Sequence, residues 1–280
     1  VKKKLVLLFA ALLTLSLVIT GCGGKKEEPA KQGAAQDTNK PKVIKVGASP
    51  VPHGDILKVA KPILEKEGIQ LEIMEFNDYV QPNLALNDKQ LDANYFQHLP
   101  YLEQFNADKG LDLSYTAKIH FEPMGLYSKK LKAVADFKAG DKVGIPNDPT
   151  NGGRALVVLE KAGLLKLKEG VGIKATVRDI VEKKVDVIEL EAAQLPRSVD
   201  DLAGAVINGN YATQAKFAPS DALLAEDATS EAADTYGNIL AIRKGDENRE
   251  EIKKLTEALK TPEVKKFIEE TYKGSVVPLF

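Results

Sequence analysis

Few side chains in this sequence are placed for bond-breaking chemistry. No H-E-x-x-H, no G-x-S-x-G and no phosphate loop ending in Gly-Lys-Ser/Thr occurs. The three histidines, His53, His98 and His120, are far apart and lack metal-ligand spacing, so no metal site is expected from them. Gly170 to Ala175 (GVGIKA) matches the G-x-G-x-x-A pattern of dinucleotide folds. It follows a lysine-rich turn after a helix rather than a buried strand, so it reads as a loop. With neither a nucleophile–base pair nor a metal site, an enzyme is not expected, and no cofactor is implied.

Binding chemistry has better candidates. Polar and aromatic residues crowd into three stretches: FNDYVQPN (76–83), DANYFQHLPY (92–101) and IPNDPTNGGR (145–154). The chain has no tryptophan, yet Tyr95, Phe96, His98 and Tyr101 fall within one short segment. Periodicity leaves two readings open for them, the packing of a local helix or contact with a ligand. Arg154 sits near the expected start of a helix, where a positive charge opposes the macrodipole. As a solvated surface charge it would mean little. Together with the free N–H groups of the helix start it could hold a ligand carboxylate.

The elements that must position these residues alternate between strand-like and helix-like stretches. Strands are expected at 43–46, 71–76, 91–93, 114–119, 142–145, 185–190, 205–207 and 239–242. Ile56, Val59, Ala60, Ile63 and Leu64 share one helical face, and Pro62 inside that pattern should kink or end the helix. Helices are also expected at 100–107, from near Gly152 to Gly163, and twice at the C-terminus. Such alternation predicts an α/β fold with largely parallel sheets, in two lobes. The three polar stretches fall at the C-terminal ends of predicted strands, where α/β sheets place ligand sites.

The first residues are of another kind. Lys2, Lys3 and Lys4 precede an apolar run from Leu5 to Ile19, too short to span a bilayer, followed by small residues around Cys22. Residues 1–21 therefore read as a removable signal peptide. Ile19-Thr20-Gly21-Cys22 resembles the lipobox of bacterial lipoproteins, in which the cysteine is acylated and becomes the first residue. Residues 22–42, charged and without large apolar side chains, read as a flexible tether. Losing the signal removes three lysines and no acids, which takes the formal charge from −1 to −4. An acidic balance without a basic patch argues against nucleic acid as partner.

The motifs taken together resemble the methionine-binding lipoproteins that feed ABC importers, the NLPA lipoprotein family. The matching segments are VGASPVPH (46–53), FNDYVQPN (76–83), LDANYFQHLPYL (91–102), PMGLYSKK (123–130), IPNDPTNGGRAL (145–156), ELEAAQLPRSVDDL (189–202) and AVINGNYA (205–212). The resemblance implies a two-lobed, type II solute-binding fold closing on an amino acid. It implies a thioether among Tyr79, Phe96, His98 and Tyr101. It implies a carboxylate on Arg154, with Asn208 and Asn238 at the polar end and Asn151 as a further candidate. It places lobe one at 43–123 with 239–280 and lobe two at 124–238. The implied partners are methionine (L-, with D- open) or a close analogue, a permease and ATPase complex, and a membrane reached through lipid on the extracytoplasmic face. The protein is expected to be a monomer. A methionine-containing dipeptide, another sulfur compound, or an adhesin or antigen role are the alternatives.

Overall fold

A computed structural model describes residues 41–228 and 231–280. The expected signal peptide, Cys22 and nearly all of the expected tether lie outside the described residues. β1 (Lys42–Ala48) begins one residue inside the range read as tether and continues through a tight turn at Pro50–Gly54 into α1 (Asp55–Lys66). Pro62 does not end this helix. Ile56, Leu57, Ala60 and Leu64 are fully buried against β1, and that burial outweighs the roughly 3 kcal/mol cost of an interior proline.

β2 (Ile69–Glu75), α2 (Gln81–Asn87), β3 (Ala93–His98), α3 (Leu99–Lys109) and β4 (Leu113–Phe121) follow. Then come β5 (Gly125–Tyr127), β6 (Lys142–Pro146), α4 (Pro149–Lys161), β7 (Leu165–Leu167), β8 (Ile180–Lys183) and β9 (Asp186–Leu190). The series continues with α5 (Leu195–Ser198), β10 (Gly204–Ile207), α6 (Gly209–Gln214), β11 (Ala222–Ala225) and α7 (Glu231–Thr235). β12 (Asn238–Arg243), α8 (Glu250–Ala258), α9 (Pro262–Tyr272) and β13 (Val277–Pro278) close it.

The strands form two larger sheets, one in each lobe of an α/β fold. One has the order β13-β4-β12-β3-β1-β2 and the other β11-β5-β10-β6-β9. Both are mixed, not largely parallel. β1 runs parallel to β2 and β3, and β6 parallel to β9 and β10. β12 runs against both β3 and β4, and β5 against β10 and β11. The antiparallel pairs arise where the chain passes between sheets, since a returning strand enters from the opposite end. Each sheet has its own apolar core, one around Ile44, Val46, Leu57 and Ile252, the other around Val143, Ile145, Leu156 and Val206. No helix among the described residues is long and apolar enough to cross a membrane.

Two further boundaries differ from expectation. The third strand begins at Ala93, where the sequence suggested that it ended, and runs through the aromatic stretch to His98. All six of its residues are buried, so the alternation that marks a half-exposed strand is missing. α4 begins at Pro149, within the segment read as a turn-rich loop, which puts Arg154 in its second turn. The start signals are local: Asp148 Oδ1 accepts from the Asn151 N–H at 2.9 Å, and proline occupies the first turn.

Candidate functional site

A narrow void with a cavity volume of about 20 Å³ lies where the two sheets meet, and all seven residues expected at the site line it. That is far smaller than an amino acid, so the cleft is nearly closed in this structure. Tyr79, Phe96, His98, Tyr101 and Asn238 reach it from the six-stranded sheet and its loops. Asn151, Arg154 and Asn208 reach it from the other sheet.

The aromatic end is built on β3. His98 is the N-cap of α3, and its Nδ1 accepts from the Tyr101 N–H at 3.2 Å. That bond fixes the tautomer, so Nε2 carries the proton and donates to Asn151 Oδ1 at 3.1 Å. Burial, aided by the charge of Arg154, holds the imidazole at about 3, so it is neutral. The Tyr79 ring lies 5.8 Å from both Phe96 and Tyr101, and Tyr101 donates through its hydroxyl to the Tyr79 carbonyl. Behind them, Asn83, Asn94 and Gln97 satisfy one another in a buried amide network that ties α2 to β3. Much of the polar character of the first two stretches therefore serves packing.

The polar end is built on Arg154. It is only 4% exposed, which excludes the reading as a surface charge. Nε and Nη2 form a fork on the Glu226 carboxylate, and Nη2 also donates to the Glu122 carbonyl at 2.9 Å. The Tyr236 ring packs 4.1 Å from the guanidinium carbon. Nη1 takes part in none of these bonds. Asn208 Nδ2 donates to Asn151 Oδ1 at 2.7 Å, whereas the buried Oδ1 of Asn208 has no partner. Buried polar atoms without partners are uncommon and costly. The two halves also meet directly, with Tyr79 donating to Asn210 Oδ1 at 2.5 Å and Tyr211 to the Asn77 carbonyl at 3.2 Å.

Several residues of the site carry no expectation from sequence: Glu122, Glu226, Tyr236, Asn210 and His53. The fold brings His53 and His120 beside Glu122 although their spacing in sequence is wide. His120 Nε2 donates to Glu122 Oε1 at 2.7 Å, and His120 Nδ1 accepts from the Tyr95 hydroxyl. His53 Nε2 lies 3.0 Å from Asn238 Oδ1 and 3.3 Å from Glu122 Oε1. A 2.7 Å separation is a hydrogen bond, shorter than the edge of about 3.3 Å between ligands on a tetrahedral zinc. The trio is a hydrogen-bonded acid–imidazole network. Burial lowers His53 to about 4 and His120 to about 3, and raises Glu122 to about 7. Gly170 to Ala175 is a loop leading into a short helical turn at Gly172–Lys174 that packs on α4, although the short β7 precedes it.

A cleft between two α/β lobes, aromatic at one end and lined by arginine and amides at the other, defines a solute-binding protein. The profile of the NlpA lipoprotein family matches residues 44–280, and the chain belongs to that family. It is 40% identical over 277 residues to the D-methionine-binding lipoprotein MetQ of Escherichia coli K12, covering 96% of each chain. A nutrient binding protein from Burkholderia cenocepacia, solved bound to methionine, is 44% identical. It superposes with a TM-score of 0.80 over 85% of this chain and all of that one. A lipoprotein structure from Ruminococcus gnavus is 49% identical, with a TM-score of 0.84 over the same shares.

Proposed function

We propose that this chain is the substrate-binding lipoprotein of an ABC importer and that it binds methionine in the cleft between its lobes. The observation that carries the reading is the joining of two unlike surfaces in one void. Tyr79, Phe96, His98 and Tyr101 offer a polarisable ring wall, while Arg154 and the unpartnered Asn208 Oδ1 offer a zwitterion its partners. A thioether forms almost no hydrogen bonds but gains about 0.3–1.5 kcal/mol from each aromatic contact. Arg154 receives the carboxylate, and Asn208 and Asn238 complete the polar end, with Asn151 holding Asn208 in place. In this reading 43–123 with 239–280 forms one lobe and 124–238 the other, and ligand favours closure because it touches both. On this reading the protein acts as a carrier that hands its cargo to a permease and ATPase.

Calorimetry against all twenty amino acids and D-methionine tests this. Binding of methionine with rejection of the others is expected, and tight binding of a different amino acid with none of methionine would overturn it. Mass spectrometry of ligand carried through purification separates free methionine from a dipeptide or analogue. The lipid anchor at Cys22 serves location alone. Cys22→Ala should move the protein from the membrane to the soluble fraction and leave methionine affinity unchanged; retention on the membrane would mean another anchor.

A further inference from the structure

We infer that the Glu122 carboxylate, held by His53 and His120, is the partner of the ligand's α-ammonium group and makes the cleft select amino acids over their deaminated counterparts. The inference rests on the reading of the ligand as an amino acid. A buried ammonium needs a matching charge or several acceptors. Glu122 is the one acid among the described residues lining the void. Its two oxygens are used differently. Oε1 accepts from His120 Nε2 and faces His53 Nε2, which fixes the plane of the carboxylate. Oε2 takes part in none of these bonds. It lies 3.0 Å from the place a Cβ on Gly209 would occupy, beside Asn208 with its orphaned Oδ1. Glu122 and Asn208 thus both line the void, the latter with an unpartnered acceptor, while Arg154, tied to the Glu122 carbonyl, marks the place for the carboxylate.

Glu122 is faced by His120 and Tyr95 from its own sheet, by His53 from the turn after β1, and by Arg154 from α4, whose charge Glu226 balances. Tyr79 and both imidazoles are neutral near pH 7, as burial holds each away from its charged form. Glu122 is thus the group that changes charge near neutrality, since burial sets it at about 7. An ammonium beside it favours the anion, so binding below that point releases a proton.

The test uses the full chain, methionine, and 4-(methylsulfanyl)butanoic acid, which is methionine without its amino group. Calorimetry of the wild type should show methionine affinity falling roughly twentyfold from about pH 7.5 to about pH 5.5, with proton release seen by comparing buffers. Glu122→Gln should bind methionine at least roughly tenfold more weakly, with a flat pH profile, and hold the deaminated acid as well as the wild type does. Binding of that acid also reports that the variant is folded. If Glu122→Gln does not fold, the wild-type pH profile and proton count decide alone. Affinity that rises on acidification would make Glu122 a donor to the ligand carboxylate and overturn the inference, as would unchanged methionine binding by Glu122→Gln. A wild type that binds no amino acid would instead overturn the amino-acid reading.

Discussion

On the proposed reading Arg154 has two roles, and a substitution there must be read for both. Its fork on Glu226 neutralises a buried acid, and Nη1, which takes no part in that fork, is the group proposed for the ligand. Arg154→Ala strands Glu226 in a site where its side chain is only 6% exposed, and truncating such a pair costs about 3–5 kcal/mol. Methionine affinity should drop by more than roughly 100-fold and the melting temperature should fall as well. Arg154→Lys keeps the charge but not the fork, so it should recover stability more fully than affinity. Undiminished binding by either variant, measured by calorimetry, would put the carboxylate elsewhere. That Arg154 lines the cleft was legible because it stands in a run of turn and cap residues; Tyr79, Phe96, His98 and Tyr101 stand in comparable runs. Glu226 and Tyr236 were not legible. Nothing near them in the chain marks them, and their roles exist only through contacts across the lobe.

At the scale of elements, α4 packs closely on the turn at Gly172–Lys174, and that approach is expected to set how the neighbouring Arg154 is presented. A Cβ on Gly153 would stand 2.2 Å from the Ile173 carbonyl oxygen and 3.0 Å from that of Ala175. Both are backbone atoms and cannot swing aside. Gly153→Ala should therefore push the turn off the helix, cost about 1–3 kcal/mol, and weaken methionine binding through its neighbour Arg154. Gly163→Ala is the contrast: its φ of +69° is strained for alanine but its surroundings are open. That change should cost about 1 kcal/mol and leave affinity alone. Equal effects of the two on affinity would mean that the turn does not position Arg154. The G-x-G-x-x-A stretch is thus a packing surface, a use that no local pattern announces. The same holds for β3, whose six buried residues leave no alternation to read, and for Pro62, which stands on the exposed side of α1 while the buried face carries the helix past it. Longer amphipathic helices such as α8 and α9 were legible because one face of each is buried and the other wet.

For the molecule as a whole, the cleft joins three neutral imidazoles to one reluctant acid, and their sum sets how folding responds to pH. His53, His98 and His120 all lie well below the 6.5 of a free histidine because they are buried. Between about pH 4.5 and 6.5 the unfolded chain therefore holds three protons that the folded chain lacks. Glu122 works in the opposite sense: raised from 4.5 to about 7 by burial, it holds one proton in the folded state that the unfolded chain has lost. The unfolded state binds about two more protons overall, so stability rises with pH across this window, by up to roughly 2.7 kcal/mol per pH unit. Above about pH 7 the four groups match in both states and the slope should vanish. Saturating methionine adds a second signature. If the ammonium keeps Glu122 ionised, the folded complex gives up its extra proton, and the slope should steepen from about two protons to about three. Melting curves of the free and methionine-bound protein from about pH 5 to 8 measure both slopes. A flat profile would show that the histidines charge without unfolding the chain, and equal slopes with and without methionine would separate Glu122 from the ligand.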